Sequence, residues 1–587
     1  MLNKPSFLIG VFLISFANLL FELLLVRIAS VTLAPQTAFV VISVVMCGMT
    51  IGALLVFLLP GLIRNERADL WISASALLFA ITEFAATLIH LHTKFATNYY
   101  QIGFLQFSLA YTTLLLPFVL SGICICLALA RFPQYLAKTY AADLCGAAFA
   151  CLALPALLTV FDGVSACIFV ACLSALSGLA FAIGKSKRLV ASSLILATLF
   201  FSLSLFNLQS HTMKIEWRVG VKEGPVDFES WNSYSRLIQK PPHKGAPFFW
   251  SKSSSAPNFY TEEIYLLIDS VAGTMMPFYD GNLEKVGFLK FDATNAGYYL
   301  RDNANVLVIG VGGGRDILSA LVFGARAVTG VEINQSIINL LTGRCSLFNQ
   351  IARNPRVHLV NEDGRTFMIR TEQKFDFIQI SLVDTFAATV SGAMSFSENS
   401  IYTVEAWRLA LERLSDRGIF SFSYWHSEKI PFFHRFVYTA AAALRSQNID
   451  NPTRHMILLQ NKGNVDHVRT LLVCRSPFSK QDIDKIREVA NRLHYKIIFD
   501  PEQVDSSDEA QMLSEFDPTK EPKYYHLAPA TDDRPFPFSF TPFPWEQIFV
   551  HPEGIPLVVS LVFAVCGILL PLALTKRNFS FVRAIPL

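Results

Sequence analysis

Charged residues are scarce in this 587-residue chain, where Asp, Glu, Lys and Arg together make up only 16% of the sequence. A soluble globular protein carries roughly 25%. Hydrophobic residues reach 52%, so the composition excludes a disordered, collagen-like or wholly soluble protein. The net charge of +3 is too small, and the basic residues are too dispersed, for nucleic acid to be an expected partner. The composition therefore indicates a membrane protein with a soluble part.

The chain also lacks the signatures of several kinds of site. Most of its cysteines lie in apolar segments, which does not fit a disulfide framework. His426, His434 and His455 are scattered and have no Cys or acid at ligand spacing, so no metal site is expected. There is no Walker loop and no Gly-x-Ser-x-Gly turn. A chemical function must therefore come from a different motif.

Long apolar runs fill the first third of the chain. Each is close to the ~20 residues that cross ~30 Å of hydrocarbon, and the first is too long for a cleavable signal peptide. The seven runs are Phe7–Val26, Ala38–Leu59, Leu70–Leu91, Phe104–Leu129, Ala141–Val160, Val164–Ile183 and Leu189–Leu208. An eighth, Ile555–Leu574, stands alone near the C-terminus. We predict a seven-span domain over 1–208, a soluble domain over 209–554, and a membrane helix with a tail over 555–587, with the lipid bilayer as a partner.

The loops differ in charge. One side of the predicted bundle carries most of the basic loop residues, namely Arg64, Arg67, Arg131, Lys138, Lys185, Lys187 and Arg188. The positive-inside rule places that side in the cytoplasm, and with seven preceding spans the soluble domain then lies outside the cytoplasm. A span count that is wrong by one, at the sixth or seventh run, would return the domain to the cytoplasm.

Four ionisable residues fall within or at the edge of the predicted spans. Glu22, Glu83 and Asp143 are candidates for transport or relay work, because a charge in hydrocarbon is expensive. The alternative is that these carboxyl groups are neutral or face the bundle interior. Arg27, at the edge of the first span, is expected to extend to the membrane surface.

The soluble stretch alternates between strand-like and helix-like segments. Strand-like runs are Val306–Ile309, Ala327–Val331, Val357–Val360, Phe377–Ile380 and Ile419–Tyr424. Helix-like runs are Ile317–Phe323, Ile337–Phe348 and Val404–Leu414, whereas Lys240–Asn258 has the composition of a loop. This alternation predicts βαβ units around a parallel sheet.

A glycine-rich turn follows the first of these strands. Val306–Ile309 leads into Gly310-Val-Gly-Gly-Gly314, and a helix-like run comes next. Glycines allow a tight turn and a close approach of a ligand to the helix N-terminus. Glu332 ends the second strand, 22 residues after Gly310. An acid at that position can accept hydrogen bonds from both hydroxyls of a ribose.

Polar residues follow the third and fourth strands as well. Asp363 and Gly364 come after the third strand, where an acid can accept a hydrogen bond from an adenine amino group. Ser381 and Asp384 come at the end of the fourth. The carboxyl ends of parallel strands are where open α/β sheets bind ligands. Each feature alone is compatible with an ordinary turn or helix cap, but all four in register indicate a nucleoside site.

Three motifs follow one another along the chain: Val-Leu-Val-Ile-Gly-x-Gly-Gly-Gly, Val-Glu-Ile-Asn and Asp-Gly-Arg. Together they resemble the spermidine synthase family, which has the class I S-adenosylmethionine-dependent methyltransferase fold. The chain is similar in particular to membrane-embedded bacterial members, which implies a bacterial inner membrane. The resemblance covers about Trp231 to Tyr424. The implied fold is a multi-pass α-helical membrane domain plus an α/β Rossmann-like domain of the methyltransferase type.

The resemblance implies roles for particular residues. Gly310, Gly312, Gly314 and Gly364 would shape the cofactor site, with Glu332 on the ribose and Asp363 on the adenine of S-adenosylmethionine or its decarboxylated form. Substrate-binding roles are implied for Asp269, Asp316 and Tyr402, and catalytic ones for Ser381 and Asp384. Asp384 matches the second acid of the family's Asp-x-x-Asp motif, which handles the amine.

The chain departs from the family at the chemically critical positions. Ser381 replaces the first acid of that motif, and Gly313 takes the place of the acid in the family's Gly-Gly-Gly-Asp-Gly turn, although Asp316 lies close by. A serine without a partner is a poor base for an amine. Transfer of an aminopropyl or other alkyl group to a small amine is the leading hypothesis. Methyl transfer to a membrane-associated acceptor and a non-catalytic nucleoside- or polyamine-binding transporter or sensor are the alternatives.

Overall fold

The computed structural model describes residues 5–33, 40–59, 61, 67–94, 96–98, 101–102, 104–218, 220–269, 272–383, 399–426, 432–461, 468–502, 528–535, 537 and 554–574. Within these ranges, seven helices are long and apolar enough to cross a membrane, which confirms the seven predicted over the first third of the chain. They are α1 (Pro5–Thr32), α2 (Val40–Leu58), α3 (Ala68–His92), α4 (Phe104–Arg131), α5 (Leu136–Val160), α6 (Gly163–Ala182) and α7 (Lys187–Ser210). The described part of the eighth predicted run forms a shorter apolar helix.

Small residues allow close packing of these helices. A Cβ added at Gly48 of α2 would lie 2.8 Å from the Phe118 Cβ of α4. One added at Gly52 would lie 2.3 Å from the Val119 carbonyl oxygen. The two backbones can therefore approach only because both positions lack a side chain, which is the usual role of small residues four apart in packed apolar helices.

The outer surface of the bundle stays apolar. Leu105, Leu152 and Ile195 are 79%, 74% and 67% exposed. A water-soluble protein rarely exposes a continuous apolar surface of this kind, whereas helices facing lipid require one. The exposed surface therefore agrees with the composition in suggesting a membrane protein.

The two ends of the bundle differ. At one end the Lys185 ammonium lies 3.1 Å from Asp69 Oδ2, and the Arg131 guanidinium lies 3.8 Å from Asp69 Oδ1. At the other end the His92 ring lies 3.2 Å from Glu216 Oε1, in the segment that leads into the α/β domain. The α/β domain and these basic loop residues are therefore at opposite ends of the bundle.

Short antiparallel strands precede the main sheet. β1 (Ala96–Asn98) pairs with β2 (Gln101–Ile102), and β3 (Trp217–Arg218) pairs with β4 (Val221–Lys222). A five-stranded sheet follows, and its strands are β5 (Phe228–Trp231), β6 (Arg236–Gln239), β7 (His243–Gly245), β8 (Thr261–Ile268) and β9 (Ala272–Pro277). The predicted Lys240–Asn258 loop thus contains one short strand, β7.

An eight-stranded mixed sheet forms the centre of the α/β domain. Its strands are β10 (Asn305–Ile309), β11 (Ala327–Glu332), β12 (Val357–Asn361), β13 (Phe375–Ser381), β14 (Leu414–Trp425), β15 (Met456–Asn461), β16 (Val468–Cys474) and β17 (Tyr495–Phe499). The order is β12-β11-β10-β13-β14-β16-β15-β17, with the first five parallel and the rest antiparallel. The predicted α/β fold is confirmed.

Helices connect and cover these strands. They are α8 (Arg315–Val322), α9 (Gln335–Asn339), α10 (Gly364–Arg370), α11 (Val404–Glu412), α12 (Phe432–Arg445) and α13 (Lys480–Leu493). Apolar strand residues such as Val306, Val308 and Phe377 are fully buried beneath them. The strand order reverses between β10 and β13, and such a reversal opens a crevice at the carboxyl ends of the two strands. The candidate site is at this crevice.

The C-terminal apolar run is helical in two parts. α14 (Gly554–Ala564) and α15 (Leu570–Leu574) are separated by a π-helical turn at Val565–Leu569. The Phe563 ring stacks on Tyr111 of α4, with 4.6 Å between the ring centroids. This segment therefore packs on the seven-helix bundle.

Candidate functional site

The glycine-rich turn joins β10 to α8 in a conformation that requires glycine. Gly310, Gly312 and Gly314 have φ values of +84°, +49° and +82°. Gly313 is needed for a different reason, because a Cβ there would lie 2.3 Å from the Met275 carbonyl oxygen of β9. The turn is thus seated against β9, and it leads directly into the N-terminus of α8.

Glu332 lies at the end of β11, next to this turn. Its Oε2 accepts a hydrogen bond from the Gly312 N–H at 3.0 Å, and its Oε1 accepts one from the Asn334 N–H at 2.9 Å. The side chain is buried, which raises the pKa of the carboxyl, while the backbone N–H groups partly offset that rise. The structure therefore holds a buried carboxyl group beside the turn, and each of its oxygens accepts a hydrogen bond from a backbone N–H.

Asp363 and Gly364 lie at the start of α10, after β12. Asp363 caps the helix, since its Oδ1 accepts hydrogen bonds from the Thr366 N–H at 2.8 Å and the Thr366 hydroxyl at 3.0 Å. A Cβ on Gly364 would lie 2.5 Å from Ile309 Cγ2 of β10. Gly364 therefore lets the loop after β12 approach the end of β10, and Asp363 has the local role of a helix cap.

Ser381 is the last residue of a polar chain along β13. The Tyr298 hydroxyl donates to Gln379 Oε1, and Gln379 Nε2 donates to Ser381 Oγ at 2.8 Å. A hydroxyl that accepts from Gln379 keeps its own proton free to donate. The Ser381 hydroxyl also lies near the carboxyl group of Asp316, whose pKa it lowers.

Asp316 is the buried acid at the crevice between β10 and β13. It is the second residue of α8 and only 6% exposed. Burial raises its pKa from 3.8 to about 7. The Ser381 hydroxyl and the Arg315 guanidinium lower this pKa, and Asp292 raises it. Asp316, from the first turn of α8, and Ser381, from the end of β13, therefore lie together at this crevice.

Two other predicted residues have different surroundings. Asp384 lies outside the described residues, as does the segment 385–398. Tyr402 is fully buried, and its hydroxyl donates to the Val383 carbonyl oxygen. Its ring packs among Phe422, Tyr424 and Phe436. Tyr402 therefore supports the chain just before Asp384, which differs from the substrate contact that the resemblance implied.

The structure also places the Asp269 and Arg27 side chains differently from what the sequence predicts. Arg27 Nη2 of α1 donates to Asp269 Oδ1 at 2.8 Å, and the Arg236 N–H donates to the same oxygen at 2.7 Å. Arg27 is 3% exposed and Asp269 is 1% exposed. The expectation that Arg27 reaches the membrane surface is wrong, because an ion pair buries it. Asp269 is bound by the helical bundle instead of facing an open substrate site.

Gln379 and Arg27, the partner of Asp269, are not among the site residues that the sequence predicts. Gln379 had a usable signal: it is a polar residue in an apolar strand, two positions before Ser381 and so on the same face. The pairing of Arg27 with Asp269 has no such signal in the sequence, because the two residues are 242 positions apart. Arg365 directly follows Gly364 and donates to both carboxylate oxygens of Asp532, which joins the start of α10 to a segment 167 residues further along the chain.

Comparison with known proteins gives one family and several solved structures. Residues 294–432 match the spermine/spermidine synthase domain. A search of the curated proteins finds no match. The spermidine synthase of Thermotoga maritima is 14% identical with a TM-score of 0.30, and the match covers 56% of this chain and 87% of that one.

Two further structures show the same range of similarity. A probable spermidine synthase from Corynebacterium glutamicum is 14% identical with a TM-score of 0.31, covering 46% of this chain and 87% of that one. Human methyltransferase-like protein 13 in complex with SAH is 13% identical with a TM-score of 0.24, covering 38% and 95%. The family match includes the glycine turn, Glu332, Asp363 and Ser381. The α/β domain of this chain is therefore spermidine synthase-like, with a methyltransferase-type sheet.

Proposed function

We propose that the α/β domain transfers an aminopropyl or other alkyl group from decarboxylated S-adenosylmethionine, or from S-adenosylmethionine, to an amine acceptor. The observation that carries the proposal is the pairing of Asp316 with Ser381 at the crevice where the strand order reverses. Such a crevice is the usual ligand site of open α/β sheets. The family match at 294–432 supports the same class of reaction.

The residues present fit the nucleoside part of such a cofactor. The turn at Gly310–Gly314 carries one side chain, that of the buried Val311, so its glycines leave room for a ligand to approach the backbone. Glu332 is positioned to accept hydrogen bonds from ribose hydroxyls, and Asp363 is proposed to lie beside the adenine. When bound, the cofactor supplies an alkyl carbon on a sulfonium sulfur, and that sulfur departs with its electron pair as a neutral thioether.

The chain's own part of the chemistry is to hold the acceptor and remove its proton. An alkylammonium cannot attack until it loses a proton, and the family's first acid is absent here. Asp316, with a pKa of about 7, is suited to accept that proton near neutral pH. Ser381 would orient the carboxyl group, and Gln379 would hold Ser381 in turn. Asp384, whose motif resembles the family's second acid, is proposed to bind the amine.

The test uses the full chain in detergent with both cofactors. Calorimetric titration measures which form binds, and mass spectrometry of a panel of amines measures transfer. We expect binding of at least one form and a product extended by its alkyl group. Preference for the decarboxylated form with an aminopropyl product supports aminopropyl transfer, whereas preference for the intact form with a methylated product supports the methyltransferase alternative. A folded protein that binds neither form refutes both.

We also propose the chain division and orientation inferred from the sequence: a membrane domain over 1–208, a catalytic domain over 209–554, a C-terminal membrane segment, and the catalytic domain outside the cytoplasm. The bundle supports this, because Arg131 and Lys185 lie at the end away from the α/β domain. Reporter fusions after Leu208 are the test. A reporter active only outside the cytoplasm agrees, and one active only in the cytoplasm refutes the orientation.

A further inference from the structure

The buried carboxyl group of Glu83 lies inside the helical bundle, on α3, and has no part in the site proposed for transfer. Glu83 is 0% exposed, and neither of its carboxyl oxygens has a hydrogen-bond partner among the described residues. The Ser174 hydroxyl of α6 lies near enough to influence this carboxyl group. Ser174 Oγ is itself buried without a hydrogen-bond partner in the described part of the chain. Two polar side chains of neighbouring helices are therefore left unsatisfied at the same place in the bundle.

The surroundings of Glu83 are apolar. Phe79 and Phe84, on either side of it along α3, pack on rings from other helices. Those rings belong to Phe21 of α1, which stacks on Phe118 of α4, and to Phe200 of α7. A carboxylate loses far more from desolvation than a neutral carboxyl group does, and no described donor to either oxygen offsets that loss. The protonated form of Glu83 is therefore the stable one at this position.

A polar stripe on α3, formed by Glu83, Thr87 and His90, leads toward the α/β domain. The spacing of four and then three residues puts these side chains on one face of the helix, and Thr87 and His90 are each 2% exposed. The Cys167 thiol of α6 lies near the Thr87 hydroxyl and the Glu83 carboxyl. His90 Nε2 lies 2.7 Å from the hydroxyl of Thr32, the last residue of α1. Groups that can pass on a proton thus follow one another over about 10 Å of helix.

The two directions along this face of α3 differ. Toward the opposite end of the bundle, Glu83 is followed by Ala80, Phe79 and Ala76, which are apolar and fully buried. At the other end, the Glu216 N–H donates to the carbonyl oxygen of Leu91, the residue after His90. Glu216 belongs to the segment that leads into the α/β domain. The α3 polar stripe therefore connects Glu83 with the junction of the bundle and the α/β domain, whereas apolar packing follows Glu83 in the opposite direction.

We propose that Glu83 is a proton-binding site inside the helical bundle, and that its proton exchanges with the end of the bundle at the α/β domain through the Thr87 hydroxyl and the His90 ring. One proton binds the carboxylate to give the carboxyl group, and no other reactant takes part. A hydroxyl can accept one proton while it donates another, and an imidazole can do the same with its two nitrogens. This function goes beyond alkyl transfer and does not depend on catalysis by the α/β domain.

Infrared spectroscopy of the full chain in detergent tests the bound proton, because a protonated carboxyl group has a C=O stretching band that a carboxylate lacks. We expect Glu83→Gln to remove one such band from the spectrum recorded at neutral pH. The matched control is Asp69→Asn on the same helix, where the carboxylate pairs with Lys185 and Arg131, and it should leave the band in place. A folded Glu83→Gln variant that retains every band of the wild type overturns the proposal.

Hydrogen–deuterium exchange of the same band tests the route and leaves Glu83 intact, so it applies even if Glu83→Gln does not fold. Thr87→Val keeps the shape of the side chain and removes the hydroxyl. After transfer into deuterium oxide, the band of this variant should shift at least about tenfold more slowly than that of the wild type. The matched control is Thr82→Val, because the Thr82 hydroxyl bonds to the Leu78 carbonyl oxygen outside the stripe, and it should exchange at the wild-type rate. Equal exchange rates in the two threonine variants contradict the route and with it the proposal.

Discussion

Asp316 and Ser381 bring a buried carboxyl group and a hydroxyl together at the crevice between β10 and β13. Position 381 itself carries no acid, and the Ser381 hydroxyl lies near enough to lower the pKa of Asp316. Asp292 raises the pKa of the Asp316 carboxyl, and Arg315 lowers it. Tyr298 lies close enough to Asp316 for that carboxyl to raise the pKa of the tyrosine. Desolvation dominates, so the pKa of Asp316 is about 7.

Replacement of this base should change the pH dependence of transfer. In the wild type, kcat/KM should rise with pH up to about 7 and then level off, because only ionised Asp316 accepts a proton. Asp316→Asn should lower kcat/KM at pH 8 by about 10²-fold or more and remove that rise. The control is Asp302→Asn, an exposed position, which should behave as wild type. An unchanged pH limb in Asp316→Asn would assign the base elsewhere.

The same carboxyl group should make stability depend on pH. The native protein holds the Asp316 proton up to about pH 7, whereas the unfolded chain releases it near 3.8. Between these values the native state binds one proton more, so this group's contribution to the free energy of unfolding falls as pH rises. Thermal unfolding in detergent should therefore show Asp316→Asn gaining stability relative to wild type between pH 5 and pH 8. An equal difference at both pH values would contradict the assignment.

At the scale of elements, the glycine turn depends on β9 as much as on its own backbone. Gly313 does not have a positive φ, so the need for glycine there is purely steric. Thr274 adds a second contact, because its hydroxyl oxygen lies 3.4 Å from the Gly313 nitrogen. The hairpin of β8 and β9 therefore sets the position of the turn that is proposed to hold the cofactor.

A substitution that adds one methyl group at Gly313 tests whether the close contact between the turn and β9 requires glycine. Gly313→Ala places its Cβ 2.3 Å from the Met275 carbonyl oxygen, so the turn or β9 must shift. We expect a loss of about 1–3 kcal/mol in the free energy of unfolding and weaker cofactor binding. Gly343→Ala is the matched control, since that exposed glycine has no atom within 4 Å of its added Cβ. Denaturant unfolding and calorimetry measure both effects, and equal behaviour of the two variants would refute the steric role of Gly313.

The elements that periodicity predicts are those whose signal is local. The parallel strands β10 to β14 are apolar runs bounded by turn residues, and all five were predicted at nearly these positions. The helix predicted over Ile337–Phe348 ends early, because its last part changes to a π-helical turn at Leu340–Arg344. That change depends on how the turn packs, with Leu340 and Leu341 buried in the core, and the sequence pattern carries no sign of it.

At the scale of the molecule, contacts between distant residues fix the α/β domain to the bundle. Arg27 binds Asp269, and the His92 ring approaches Glu216. A Cβ on Gly163, the first residue of α6, would lie 2.9 Å from the Trp231 ring. Such contacts join residues that are far apart in the sequence. The composition therefore predicts two kinds of domain but does not predict how they dock on each other.

Only a few residues connect the Arg27–Asp269 pair to the glycine turn at Gly310–Gly314. Asp269 directly follows β8, and β9 then carries Met275 to the backbone of Gly313. Burial raises the pKa of the Asp269 carboxyl, and the Arg27 guanidinium opposes that rise. Because a buried charge that loses its partner is strongly destabilising, the helix α1 and the hairpin should depend on each other.

A double-mutant cycle measures that dependence. Arg27→Met leaves Asp269 buried without its cation, and Asp269→Asn leaves Arg27 buried without its anion, so each should cost about 3–5 kcal/mol in the free energy of unfolding. The double variant removes both charges, while the amide oxygen introduced by Asp269→Asn can still accept from the Arg236 N–H, so it should recover much of the loss. Lys285→Gln, which breaks an exposed pair with Asp280, should cost under about 1 kcal/mol and serves as the control.

Fluorescence of Trp231, which lies at the junction, reports separation of the two domains. Additive losses in the double variant would mean that the two side chains act independently and that the bundle does not hold the hairpin through them.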